Sequence, residues 1–344
     1  MMPILETVPN FSEGKDLGFL REVSAEMRGA GVDILDASAD PDHHRSVVSA
    51  VGTPAEVEDA LVAAARVARE WIDLRDHRGI HPRIGALDVA PVVPLLGADI
   101  STATSTAHRV ADRIAQLGIP VYLYGRAGPD GRTLADLRRG GFEQLADGFP
   151  AERPPDRAAG RSSAHPSAGV SCVGARPLLL AWNLFVEGVA PDELRRIASS
   201  LRETGGGFEG LRVLALSLPA RGEHQLSMNL EDVERRNPDA VFEAADRAVT
   251  SAGGHVVATE VIGMIPDALV LRTSAHRLRL LGADAGRLLS ARVARHVARR
   301  GLSEFETLVT WIRAAGSGVP SDVRAAAERL ALQSTTTPIL GDSV

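Results

Sequence analysis

The succession of strand-like and helix-like segments constrains this chain most: a β-α-β-β-α-β order occurs twice along it. Residues 4–8 form a short apolar strand. Residues 14–27 turn helical, with Leu17, Leu20, Val23 and Met27 recurring at helical spacing. Residues 32–35 and 45–51 read as strands separated by Asp40-Pro41-Asp42, which is turn chemistry. Thr53-Pro54 opens a second helix, with Val57, Leu61, Ala64, Ala65, Ala68 and Ile72 on one face, and 86–93 is again a strand. A further helix near 102–117 and a strand at 119–124 extend this unit. Residues 148–170 are rich in Pro, Gly, Ser and Ala, with little periodicity, and read as an exposed connection. The order then recurs: strand 178–186, helix 191–202, strands 211–218 and 225–230, helix 240–251, strand 255–261. The repeat is one of element order, not of residues. It predicts an α+β fold of two ferredoxin-like (βαββαβ) subdomains, 1–170 and 171–265, with a ligand cleft between them. A helical C-terminal extension over 266–344 follows, its Ser334-Thr335-Thr336-Thr337 tail expected to be mobile.

Composition excludes several function classes. The 344 residues carry a net charge of −6, with 44% hydrophobic and 24% charged residues, as in an ordinary globular protein. The notable basic cluster, Arg292, Arg295, Arg299 and Arg300, reads as a solvated helix face, so no nucleic-acid partner is expected. Cys172 is the sole cysteine, which rules out an internal disulfide and a cysteine-based zinc site. Beside Val170, Val173 and Ala175 it reads as a small packed hydrophobe more readily than as a reactive thiol. The N-terminus lacks a basic segment followed by an apolar one, and no apolar run approaches the roughly 20 residues that span a bilayer. The expected location is cytoplasmic, with no membrane partner.

The densest chemical signal lies between Asp76 and Asp88. His77 and His81 are four apart, as in a helical zinc site, but Gly79 and Pro82 oppose a helix. The glutamate of a His-Glu-x-x-His motif is also missing, and no metal is predicted. A histidine in a rigid Gly/Pro loop suits acid/base work, because an unperturbed pKa near ~6.5 lets it exchange protons at neutral pH. Spacing alone leaves open that His81 merely caps a strand. Gly205-Gly206-Gly207 lacks a following Gly-Lys-Ser/Thr and reads as a helix stop after Arg202.

Several segments, in order, resemble the glutamate formimidoyltransferases. They are Val8-Pro9-Asn10-Phe11-Ser12-Glu13-Gly14, His44-Arg45-Ser46-Val47, Val51-Gly52, and His77-Arg78-Gly79-Ile80-His81-Pro82-Arg83-Ile84-Gly85-Ala86-Leu87-Asp88-Val89. Pro120-Val121-Tyr122-Leu123-Tyr124-Gly125, the stretch from Ser162-Ser163 to Gly169, and Asn183 continue the likeness, which spans about 3–265 and weakens after Asn229. The resemblance implies two ferredoxin-like subdomains around a folate-binding cleft or tunnel, and a transferase with His81 as catalytic residue. It implies a folate-binding loop at Gly160, Arg161, Ser162, Ser163, Ala164, His165, Pro166, Ser167, Ala168 and Gly169. The implied reaction, part of histidine degradation, moves a formimino group from N-formiminoglutamate to N5 of tetrahydrofolate, a co-substrate, giving 5-formiminotetrahydrofolate and glutamate. A homodimer is implied too. The chain is expected to be too short for the cyclodeaminase domain that many animal members carry.

That chemistry assigns further residues. Asn10, Glu13, His44, Arg45 and Arg83 are expected in the substrate pocket. The cationic amidine calls for a carboxylate, for which Glu13, Asp36 and Asp88 are candidates, each equally readable as a turn or capping residue. The reactants' carboxylates call for guanidinium forks. Arg45 and Arg83 are best placed for that, or else form structural ion pairs. His77 orients His81 or faces solvent. Three positions depart from the family pattern: Ala90 replaces a common cysteine, His43-His44 replaces a residue followed by Asn, and Arg126 replaces an acidic residue. Because Arg126 reverses a charge near the expected cleft, a different formimino or formyl donor is the first alternative. A folate-binding homologue without turnover is the second.

Overall fold

Local chemistry fixes where the helices begin. In the computed structural model, residues 3–265 are described apart from 96, 219–222 and 234–235, together with 278–280, 287, 289, 292 and 296. Asp16 caps α1 (Leu17–Gly29) by accepting the Gly18 N–H. Phe19, Val23 and Met27 are its buried stripe. Leu17, expected on that face, is 55% exposed, since it lies two residues, about 200° of helix rotation, from Phe19. Two strands, β1 (Leu5–Thr7) and β2 (Asn10–Phe11), precede this helix, and β3 (Asp33–Asp40) and β4 (Arg45–Gly52) follow it. Thr53 and Glu56 close a reciprocal capping box, with Pro54 in the first turn, to start α2 (Pro54–Trp71). Next come β5 (Leu87–Pro94), α3 (Ile100–Gln116), capped by Asp99, and β6 (Val121–Gly125).

β1 and β2 together occupy one strand position, antiparallel to both β4 and β5. β3 flanks β4 on the outside. Two short helices, α4 (Leu134–Leu137) and α5 (Gly141–Asp147), lead towards β7 (Ser171–Ala175). β7 inserts in parallel between β5 and β6. The first sheet therefore runs on to Ala175, past the division expected at 170. That strand lacks the alternation that would have announced it, because all five of its residues are buried. One core cluster contains the apolar stripes of α1, α2 and α3 together with Leu5, Val48, Leu87 and Val92 of the sheet.

The stretch 148–170 is not the exposed connection its composition suggests. Ala164 and Ala168 are buried, Arg157 exchanges backbone hydrogen bonds with Val121, and the Asp156 carboxylate accepts the Leu123 N–H at 2.8 Å. Polar side chains and backbone, not an apolar stripe, tie this segment down.

The second half is a four-stranded antiparallel sheet in the order β11-β8-β10-β9. Its strands are β8 (Leu179–Glu187), β9 (Leu211–Leu218), β10 (Glu223–Glu231) and β11 (His255–Val261). α6 (Pro191–Leu201) and α7 (Pro238–Ser251) pack with Leu180, Trp182, Leu184, Leu226, Met228 and Leu230 in a second core. Both sheets thus carry helices on one face and turn the other towards each other. Among the described residues no helix is long and apolar enough to cross a membrane. The helical extension expected over 266–344 lies outside the described residues, save the isolated positions above.

Leu61 is fully buried in the first core. Leu61→Ala is expected to cost about 2–5 kcal/mol by leaving a cavity, whereas Leu214→Ala, at an exposed position of β9, should stay within about 0.5 kcal/mol. Urea midpoints of the two variants measure the difference.

Candidate active site

A cavity of about 260 Å³ lies between the two sheets. Its floor carries Val8, Asn10, Arg45, Val47, Val89, Pro91 and Tyr124 from the first half. Its roof carries Asn183, Arg212, Ser227, Asn229, Glu231 and Glu260 from the second. Alternation explains the roof: in β10, Leu226, Met228 and Leu230 face the helices, so Ser227, Asn229 and Glu231 face the cavity. Glu260, Asn183 and Ser227 lie in register across β11, β8 and β10.

His81 lines this cavity. Its Nδ1 lies 2.8 Å from the Pro82 carbonyl oxygen. A carbonyl can only accept, so Nδ1 carries the proton and Nε2 keeps its lone pair. Burial, reinforced by the charges of Arg45 and Arg138, holds the pKa of His81 well below its ordinary value, with Asp88 opposing. The imidazole is therefore neutral at pH 7 and ready to accept a proton.

Asp88 organises the floor. Phe11 pairs with Leu87 and Asn10 with Val89, so Asp88 is the extra residue of a β-bulge, a device that re-aims a side chain. Its carboxylate is wholly buried and takes hydrogen bonds from Arg45 Nη1 (2.8 Å), Arg138, Ile84 N (2.9 Å) and Gly85 N (3.3 Å). Although burial alone would raise its pKa, the two guanidinium groups and these donors hold it well below the usual carboxylate range. Arg45 Nε also donates to Asn10 Oδ1 at 3.0 Å.

His77 fastens the loop that carries His81. Arg83 Nε donates to His77 Nδ1 at 3.1 Å, which leaves the proton on Nε2, 3.0 Å from the His44 carbonyl oxygen. His44 stacks on His77 with ring centroids 4.3 Å apart. Gly79 packs against both, and a Cβ there would come 2.5 Å from the His43 oxygen, 2.7 Å from the His44 Cβ and 2.9 Å from the His77 Cε1. Burial lowers the His77 pKa to about 4. Among the described residues no group of three or more His, Cys, Asp or Glu is placed to hold a metal ion.

Residues 4–176 match the formiminotransferase domain, N-terminal subdomain, and residues 181–307 match the formiminotransferase domain. The glutamate formimidoyltransferase of Thermoplasma acidophilum is 34% identical over 85% of this chain and 98% of its own length. That of Streptococcus pyogenes is 34% identical over 81% of this chain and 95% of its own. The formimidoyltransferase-cyclodeaminase of Rattus norvegicus is 36% identical over 77% of this chain and 51% of its own length. The chain belongs to the formiminotransferase family.

In this formiminotransferase His81, Asn10 and Arg45 converge on the cavity, and the other sequence candidates do not line it. Glu13 closes a turn, accepting the Lys15 and Asp16 N–H groups at 2.7 and 3.0 Å, with His44 Nε2 3.3 Å away. Arg83 grips Glu143 at 2.9 Å as well as His77. Asp36 sits in β3, away from the cavity lining. The 160–169 loop packs behind the His81 loop: Ser167 O and Ala168 O accept the Leu74 and Ala86 N–H groups, and His165 and Gly169 exchange two hydrogen bonds at 3.0 Å. Cys172 is buried, and that burial pushes its thiol up to about 12, as fits a packed residue. Ala90 is buried in the helix-side core, and Arg126 is exposed outside the cavity lining. Sequence reasoning missed Tyr124, Arg138, Arg176 and the polar roof. The 225–231 alternation was the available signal for the roof.

Two outcomes follow for this formiminotransferase. Asp88→Asn leaves two buried guanidinium groups without their anion, and about 3–5 kcal/mol should be lost, read as a lower denaturant midpoint. His77 has a folded pKa of about 4 against 6.5 in a free chain. Between these values the unfolded chain binds more protons, so stability falls as pH drops from 6.5 towards 4. His77→Gln keeps both hydrogen bonds without titrating, and denaturation across pH 7 to 4.5 should show a shallower decline in the variant.

Proposed function

We propose that the protein is a glutamate formimidoyltransferase, moving the formimino group of N-formiminoglutamate to N5 of tetrahydrofolate, with His81 as the proton shuttle. One observation carries the assignment of His81: a neutral imidazole, its Nδ1 tied to Pro82, in the wall of a cavity both halves build. Tetrahydrofolate, as co-substrate, supplies the attacking nitrogen. His81 takes the proton that nitrogen sheds and returns it to the departing glutamate nitrogen. One base near both atoms serves both steps, and holding two reactants in one cavity supplies much of the remaining rate.

The lining fits these reactants. Val8, Val47, Val89, Pro91 and Leu179 offer apolar contact to a flat ring, and the roof offers amides and hydroxyls. The amidine's positive charge needs a carboxylate, and Glu260 is the candidate. It lines the roof beside Asn183 and has no ion-pair partner among the described residues, whereas Glu231 is paired with Arg212. Arg45 enters as a group that, with burial and Arg138, keeps His81 neutral against the opposing charge of Asp88. The 160–169 loop enters as a folate contact on the family resemblance, supported by its hydrogen bonds beside Ile84 and Ala86, close in sequence to His81. The spatial order β3-β4-β1-β5 in the first half and β9-β10-β8-β11 in the second supports reading both as ferredoxin-like units around a folate cleft. A cytoplasmic homodimer belongs to the same reading. Arg126 gives no ground for another donor, since it does not line the cavity.

Glutamate release from N-formiminoglutamate should depend on tetrahydrofolate, and His81→Ala should lower kcat about 10²–10⁴-fold with folate still bound. Because the base works neutral and its pKa lies well below 6.5, kcat/KM should hold from neutral pH down past 6.5 and fall only in more acid solution. Folate binding without glutamate release would overturn the donor assignment. Absence of folate binding would overturn the enzymatic reading.

A further inference from the structure

Of the four arginines that line the cavity, three are paired with carboxylates and one is left over. Arg45 and Arg138 share Asp88, and Arg212 has Glu231. Arg176, directly after β7, has no carboxylate within ion-pairing distance among the described residues. Its side chain donates to the Pro177 carbonyl at 3.0 Å, and its guanidinium also bears on the Tyr124 hydroxyl. It is half-buried and lines the cavity. A guanidinium offers five N–H donors and no acceptor, so this arrangement leaves donors facing the cavity unmet.

Tyr124, on the neighbouring strand β6, adds another. It also lines the cavity, is only 5% exposed, and its buried hydroxyl has the Arg176 guanidinium beside it but makes no hydrogen bond of normal length. Its ring lies over Gly174, where a Cβ would come within 2.5 Å of the ring carbons, so the strand pairing Tyr124 with Gly174 makes room for the ring on the floor. A buried hydroxyl without a partner is costly unless something the cavity binds satisfies it.

We propose that Arg176 and Tyr124 form a carboxylate-binding subsite at the β6–β7 end of the cavity floor, holding a glutamyl carboxylate of a reactant. Arg176 supplies charge and two N–H groups of a fork, and Tyr124 supplies an O–H directed at the same anion. Glu6 is a buried acid that bears on Arg176, and burial pushes its carboxyl up to about 7, so at neutral pH it compensates Arg176 only in part. The identity of the ligand as glutamyl rests on the proposed function. The subsite itself does not.

Tyr124→Phe and Arg176→Gln test it, the first keeping the ring over Gly174 so that folding is preserved. Calorimetric titration of wild type and variants with glutamate, glutarate, tetrahydrofolate and tail-less tetrahydropterin should show glutamyl or dicarboxylate ligands weakened at least tenfold by Arg176→Gln and several-fold by Tyr124→Phe. Tetrahydropterin binding should be unchanged. In turnover, KM should rise with a smaller change in kcat, and the acid limb set by His81 should stay in place. A rise in KM for N-formiminoglutamate alone assigns the carboxylate to the donor, and a rise for tetrahydrofolate alone assigns it to the folate tail. Unchanged affinity for every carboxylate ligand in folded variants, or wild type that binds no such ligand, would overturn the subsite. Wild type that binds glutarate through these residues yet releases no glutamate would leave the subsite standing and sink the proposed reaction.

Discussion

The buried carboxylate of Asp88 is the point on which the site hangs. It draws together Arg45 from β4, Arg138 from beyond α4 and the backbone of Ile84 and Gly85 from the His81 loop. Through Arg45 it also fixes Asn10 on β2. Burying one anion is expensive unless its lone pairs are met, and here two cations and two amides meet them. The β-bulge that turns Asp88 out of the strand alternation makes this possible. A regular strand would send that side chain elsewhere.

Burial does most to lower the His81 pKa, and one anion between two cations adds a net positive charge beside it. Protonating the imidazole would add a third cation in a poorly solvated wall, so the ring stays neutral. His77, four residues earlier, is also neutral chiefly through burial, and an arginine donor and a carbonyl acceptor engage its two nitrogens. The spacing that resembles a metal pair thus separates a base with a free lone pair from a buckle whose two nitrogens are both engaged. Gly79, close against His43 and His44, lets the loop lie flat enough for both.

What the sequence disclosed follows from how local each signal is. Thr53, Glu56 and Pro54 mark the start of α2 because capping is settled within four residues. His81 and Arg45 stand in motifs that carry their own context. β7 and the 148–170 stretch went unread because their partners lie far along the chain: Val89 and Tyr122 for Cys172, Val121 for Arg157. Arg83 is chemically suited to a carboxylate, and only the fold reveals that His77 and Glu143 already hold it. The polar face of β10 was visible as alternation, but nothing local distinguishes a face turned to solvent from one turned to a second sheet.

The division of the cavity between halves has a mechanistic consequence. His81 and its electrostatic support come from the first sheet, while Glu260, the carboxylate without an ion-pair partner, comes from the second. A donor that is cationic at its amidine and anionic at its glutamyl end would be oriented by charge: amidinium towards Glu260, carboxylate towards Arg176. The reacting carbon would then be set by the spacing between the two sheets. Loosening that spacing should impair orientation and, by admitting water to the wall, let the His81 pKa rise towards its ordinary value, because burial holds it down more than the charges of Arg45 and Arg138 do.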